Sequence, residues 1–211
     1  MTAIPAVLPR ATVSTRTLLA AGLVAGPLYV TVSLAQALTR DAFDLTRHPW
    51  SALANGDLGW VQMANLAGTG LLVLACAAGL ARTGAGRVAP VGLAVFGAGM
   101  LVAAGLPADP VLGFPAGTPA DYQEISGTGV GHMMAAGIGF AGAVVACFAL
   151  ARRYAAAGQR GPAVASRAVG AFFLVSFIGL GASGSRPGIV AFTLGVVALF
   201  GWIAAVAHSR R

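Results

Sequence analysis

Asp109 and His132 are the residues of this 211-residue chain whose types and placement best fit acid–base chemistry. Asp109 follows the end of one apolar run and His132 lies near the start of the next, so two antiparallel helices would bring both to the same end. A carboxylate beside an imidazole fixes its tautomer and favours its protonated form, which is the arrangement of a general base. They form the candidate catalytic pair, and the plainer alternative for His132 is a boundary histidine that caps a helix or meets headgroups. Gln62, Asn65 and Thr69 recur at i, i+3 and i+7, which puts them on one helical face. Polar groups in hydrocarbon are costly unless paired, so this face looks into a bundle, either toward a ligand or toward a neighbouring helix.

A third group lies between the first two apolar runs: Asp44, Arg47, His48 and Ser51. With Arg186 they are candidate ligand contacts, the arginines for a lipid phosphate or for nearby acids. There is no HExxH and no clustered Cys/His motif, so no metal is expected, and no cofactor motif is present. Ser51 and Ser126 lack the G-x-S-x-G context of a serine nucleophile. Cys76 and Cys147 fall inside apolar runs, where they behave as small hydrophobes.

The elements that must position these residues follow from composition. The chain is 57% hydrophobic and 9% charged, with thirty glycines, which leaves an all-α integral membrane bundle as the fold class. Apolar runs of about twenty residues, each long enough to cross a hydrocarbon core of about 30 Å, predict six spans: 17–38, 60–80, 88–106, 129–150, 163–182 and 188–207. A lead, 1–16, precedes them. The first run could be a cleaved signal peptide, since Ala35-Gln36-Ala37 resembles a cleavage site; its length favours an uncleaved span. The loops 39–59, 107–128 and 183–187 fall on one side. The first is amphipathic, and Trp50 and Trp60 suit a membrane interface there.

Charge predicts the orientation. With both termini cytoplasmic, ten of the thirteen arginines lie inside, leaving Arg40, Arg47 and Arg186 outside with all six acids. Nucleic-acid binding is not expected, because the arginines are scattered through short loops rather than gathered with aromatics. Gly127, Gly131, Ala135, Gly139 and Ala143 recur every four residues and predict a close helix contact. No internal repeat stands out, and no span carries an ionisable residue near its centre, which argues against a transporter.

The succession His48-Pro49-Trp50-Ser51-Ala52-Leu53, then Trp60 and Asn65, then Leu106-Pro107-Ala108-Asp109, then Gly131-His132 resembles the bacterial membrane family known as domain of unknown function 998. The resemblance implies a six-span protein of the bacterial inner membrane with no established activity. Pro49, Ser51, Trp60, Asn65, Asp109 and His132 would be its recurrent outer-face positions. The functional expectation is an outward-facing polar pocket lined by Asn65, Asp109 and His132 that takes a small or lipid-like molecule from the outer leaflet, with His132 as base if it is an enzyme. The alternative is a non-catalytic membrane subunit that docks a partner, and a small-solute transporter comes third. The partners expected are membrane lipids; the sequence does not fix an oligomeric state.

Overall fold

The computed structural model describes residues 13–211; residues 1–12 of the lead, with Pro5, Pro9 and Arg10, lie outside the described residues, and Thr15 and Arg16 belong to the first helix. Six helices carry the fold: α1 (Thr15–Thr39), α2 (Gly59–Ala81), α3 (Val88–Gly105), α4 (Gly127–Ala156), α5 (Arg160–Ser183) and α6 (Arg186–Ser209). Each is long and apolar enough to cross a membrane, and the chain is a multi-pass membrane protein. Among the described residues the only strand-like pairing is an isolated bridge between Val111 and Phe114.

The helix ends are set by local chemistry that hydropathy does not report. Ser14 caps α1 by accepting from the Thr17 amide, Ser126 caps α4 from Gly129, and Ser185 caps α6 from Gly188. These hydroxyls satisfy amides that the first helical turn leaves without a carbonyl partner. Pro27 lies inside α1, where membrane helices tolerate the lost hydrogen bond because neighbouring helices support the chain.

Each helix packs against its neighbours in sequence, and α6 closes on α1, so the six form a ring. Small residues decide how closely they approach, as lipid supplies no hydrophobic drive for helix association. A Cβ on Gly99 of α3 would stand 2.7 Å from the Ala135 carbonyl and 2.9 Å from the Gly139 Cα of α4. The predicted stripe is therefore a tight contact with α3 at Ala135 and Gly139. Its first member is not, because a Cβ on Gly127 would meet nothing within 4 Å. By contrast, α5 turns only a narrow stripe inward, including Ala163, Ser166 and Phe173, and leaves Val164, Val175 and Ile178 exposed.

The two ends of the ring differ. One gathers the chain ends with the α2–α3 and α4–α5 connections: Arg82 donates to the Val13 carbonyl at 2.8 Å, Arg153 donates to Gly84 at 2.7 Å, and Arg210 lies over the Tyr154 ring. The other end is closed by a cap built from residues 40–58 and 107–126. Within the cap a single 3-10 turn, Trp50–Ala54, is tucked against α1 and α2, with Trp50 5% exposed and Leu53 fully buried. Trp60 is 65% exposed, whereas Trp50 is buried in the cap rather than turned outward, and its indole packs on Tyr29 at 5.7 Å.

Candidate functional site

Aromatic and charged residues that span both capping segments hold the cap in place. Phe114 is buried between Phe43, at 5.0 Å edge to face, and the His48 ring. Arg40 lies over Phe114 at 4.8 Å and donates to the main-chain carbonyls of Leu53 and Asn55. Burial lowers the Arg40 pKa, with the Asp57 carboxylate acting in the opposite direction. Gly56 fits here because its φ is +71°, and a Cβ would stand 2.8 Å from the Arg40 guanidinium and 3.1 Å from Pro115.

His48 belongs to this cap and has no nitrogen left for a ligand. Its Nδ1 accepts from the Asp44 amide at 2.9 Å, so Nε2 carries the proton and donates to the Leu112 carbonyl at 3.2 Å. Burial holds its pKa below the usual 6.5, and the adjacent Arg47 adds to the effect. Asp44 is held below the usual carboxylate range chiefly by Thr46, which donates from both its hydroxyl and its amide; the positive charge of Arg186 acts the same way. Arg47 and Arg186 thus belong to the electrostatics of the cap.

Gln62, Asn65 and Thr69 are buried; Gln62 and Asn65 bond to α1 rather than facing a cavity, and the Thr69 hydroxyl has no hydrogen-bond partner. Gln62 Oε1 accepts from Gln36 at 2.8 Å, and Asn65 donates to Ser33 and to the Tyr29 carbonyl, both at 3.2 Å. This is an interhelical network that joins α1 to α2. It corrects the expectation of a pocket lined by Asn65.

The Asp109–His132 pair needs a second correction. Both residues stand where α3 ends and α4 begins, yet each has a different partner. His132 Nδ1 meets the Leu106 carbonyl at 2.7 Å. Asp109 accepts from the Ser126 hydroxyl at 2.6 Å and its amide at 2.9 Å, thereby holding the residue that caps α4. A carbonyl only accepts, so Nδ1 carries the proton, and in the neutral ring Nε2 becomes the acceptor. The orienting group is thus a main-chain oxygen.

A cavity of about 400 Å³ lies at the centre of the ring, directly below the 3-10 turn. Its walls are overwhelmingly apolar, with Phe96, Phe140, Phe173, Phe177, Phe192 and Phe200 among them. The polar groups on its lining are few: His132, Ser51, Trp50, Tyr29 and Thr193. His132 is 4% exposed, and the buried Trp50 Nε1 has no hydrogen-bond partner. A buried N–H without an acceptor costs about 1–3 kcal/mol, which makes this indole the site's least satisfied group. The H-P-W-S succession was the available signal for Trp50. Leu106 was marked only as the first residue of Leu106-Pro107-Ala108-Asp109, and nothing there pointed to its main-chain carbonyl as the partner of His132.

Fold and site together define a multi-pass helical membrane protein with an apolar, capped central cavity. The family model described as "Protein of unknown function (DUF998)" matches residues 23–210, and the chain belongs to that family. No curated protein and no solved structure matches it.

Proposed function

We propose that this protein binds one lipid-like molecule in its central cavity, with the polar end of that molecule beneath the cap at His132, Trp50 and Ser51. One observation carries the reading: an apolar cavity of about 400 Å³ has few polar groups on its lining, and His132, Trp50 and Ser51 among them stand beneath the cap. The volume falls within the roughly 300–1,000 Å³ of small-molecule sites, and a few convergent polar groups in an apolar wall are what orients a ligand in such sites.

Binding is better supported than acid–base catalysis. A carboxylate would neutralise an imidazolium, whereas the Leu106 carbonyl holds the ring without supplying a countercharge. Asp109 acts on the start of α4 instead.

The capped end faces outward from a bacterial cell membrane in this reading. Arg16, Arg82, Arg87, Arg152, Arg153, Arg160, Arg167, Arg210 and Arg211 lie toward the opposite end, and every acid lies at the capped end, in keeping with the excess of arginine on cytoplasmic loops. The reading is tested by extracting small molecules from the purified protein and from Ala136→Phe, which fills the cavity wall. It requires a bound molecule in the wild type at near one per chain and its loss in the variant; equal amounts in both contradict it.

A further inference from the structure

The chemistry of the cavity and the shape of its wall specify what the ligand is and how it enters. Down the α4–α5 seam the helices diverge toward the cap. Near the uncapped end they touch: a Cβ on Gly170 would stand 2.8 Å from Cys147. In the middle the seam is filled by aromatic rings, with Phe140 at 5.1 Å from Phe173 and 5.0 Å from Phe177. Nearest the cap, Met133 of α4 and Gly181 of α5 both line the cavity and are both exposed, Met133 by 53%. A Cβ on Gly181 would meet nothing within 4 Å. The cavity therefore opens sideways at this level, through the face of the ring that carries Met134, Ile138, Val175 and Ile178, all exposed apolar side chains suited to lipid.

The lining also limits the head group. No arginine, aspartate or glutamate faces the cavity, so a phosphate or carboxylate would be buried there without a countercharge, at high cost. Of the polar groups that remain, Nε2 of a neutral His132 is an acceptor that needs a donor. A hydroxyl group supplies that donor without adding a charge.

Resting on the reading that the cavity holds a lipid-like molecule, we infer that its ligand is a single-chain, uncharged amphiphile with a hydroxyl head, and that it passes between the membrane and the cavity through the gap between Met133 and Gly181. The hydroxyl donates to His132 Nε2 beneath the cap, and the chain lies among the phenylalanines. One chain suits the cavity because its volume is near the lower end of ligand sites.

The test uses the full chain in nanodiscs with four probes: dodecanol, dodecanoate, dodecane and dodecylphosphocholine. Dodecanol should raise the melting temperature most, and His132→Phe should weaken its binding about tenfold, the loss of one hydrogen bond to a buried acceptor. Gly181→Trp and, separately, Met133→Trp should slow both the uptake and the release of radiolabelled dodecanol. Two portal variants are used so that a folding failure in one does not end the test. If dodecanol binds but neither variant slows exchange, the lateral route is wrong. If dodecanoate or dodecylphosphocholine binds better than dodecanol, the hydroxyl assignment is wrong. If no probe binds a chain freed of endogenous molecules, the binding function itself is wrong.

Discussion

His132 holds the Leu106 carbonyl at 2.7 Å, and this one contact ties the first turns of α4 to the end of α3 while leaving the other ring nitrogen for the cavity. The two nitrogens can be separated by substitution. In His132→Asn the amide nitrogen stands near the position of Nδ1 and keeps the donor, whereas His132→Ala removes both groups. We expect His132→Ala to lose about 1–3 kcal/mol of stability, the cost of a lost buried hydrogen bond, and His132→Asn to lose much less. Both should release the bound molecule. Thermal melts checked against extracted ligand would show the separation; equal ligand content in His132→Asn and wild type would remove Nε2 from the site.

Asp109 gives the complementary case. Its carboxylate holds the Ser126 hydroxyl and amide, so Asp109→Ala should destabilise the start of α4 by about 0.5–1.5 kcal/mol without changing ligand content. Hydrogen exchange across 126–130 would register the loosened cap. A loss of ligand without a loss of protection there would return Asp109 to the binding site.

The cap should loosen in acid because of His48. Its folded pKa lies below 6.5, so the unfolded state binds more protons than the folded state in the interval between the two values. The stabilisation by His48 is therefore complete above about pH 6.5 and is lost as pH falls through the depressed folded value. Protonation also ends the acceptance of the Asp44 amide by Nδ1. Melts from pH 8 to pH 5 should show a fall in stability that is absent in His48→Phe; parallel curves would deny His48 this role.

Glycines of α3 and α4 should differ sharply in their tolerance of side chains. Gly99→Leu drives atoms into the α4 main chain and should cost about 1–3 kcal/mol or more, whereas Gly127→Leu enters open space and should be near neutral. Comparing the two in detergent melts would check the α3–α4 contact, and equal effects would contradict it.

The six spans were legible in the sequence because length and hydropathy are all that a membrane crossing requires. The spacing of Gln62, Asn65 and Thr69 placed them on an inward face, but spacing does not say what stands opposite; Ser33 and Gln36 of α1 occupy that place. Asp109 and His132 come to the same end of the bundle because they bracket one loop. Their pairing was unreadable because the partner of His132 is a backbone oxygen, and every residue has one. The cap was the least legible part. Arg40, Phe43, His48 and Phe114 come together from two loops separated by two helices, and no local pattern marks such a meeting.

The most direct test of the binding function is native mass spectrometry of gently solubilised wild type beside His132→Asn and Asp109→Asn. We predict one small neutral lipid-like adduct on wild type and on Asp109→Asn, and none on His132→Asn. A bare wild-type chain under conditions that keep the six helices folded, or an adduct carried equally by all three proteins, would contradict a ligand held beneath the cap.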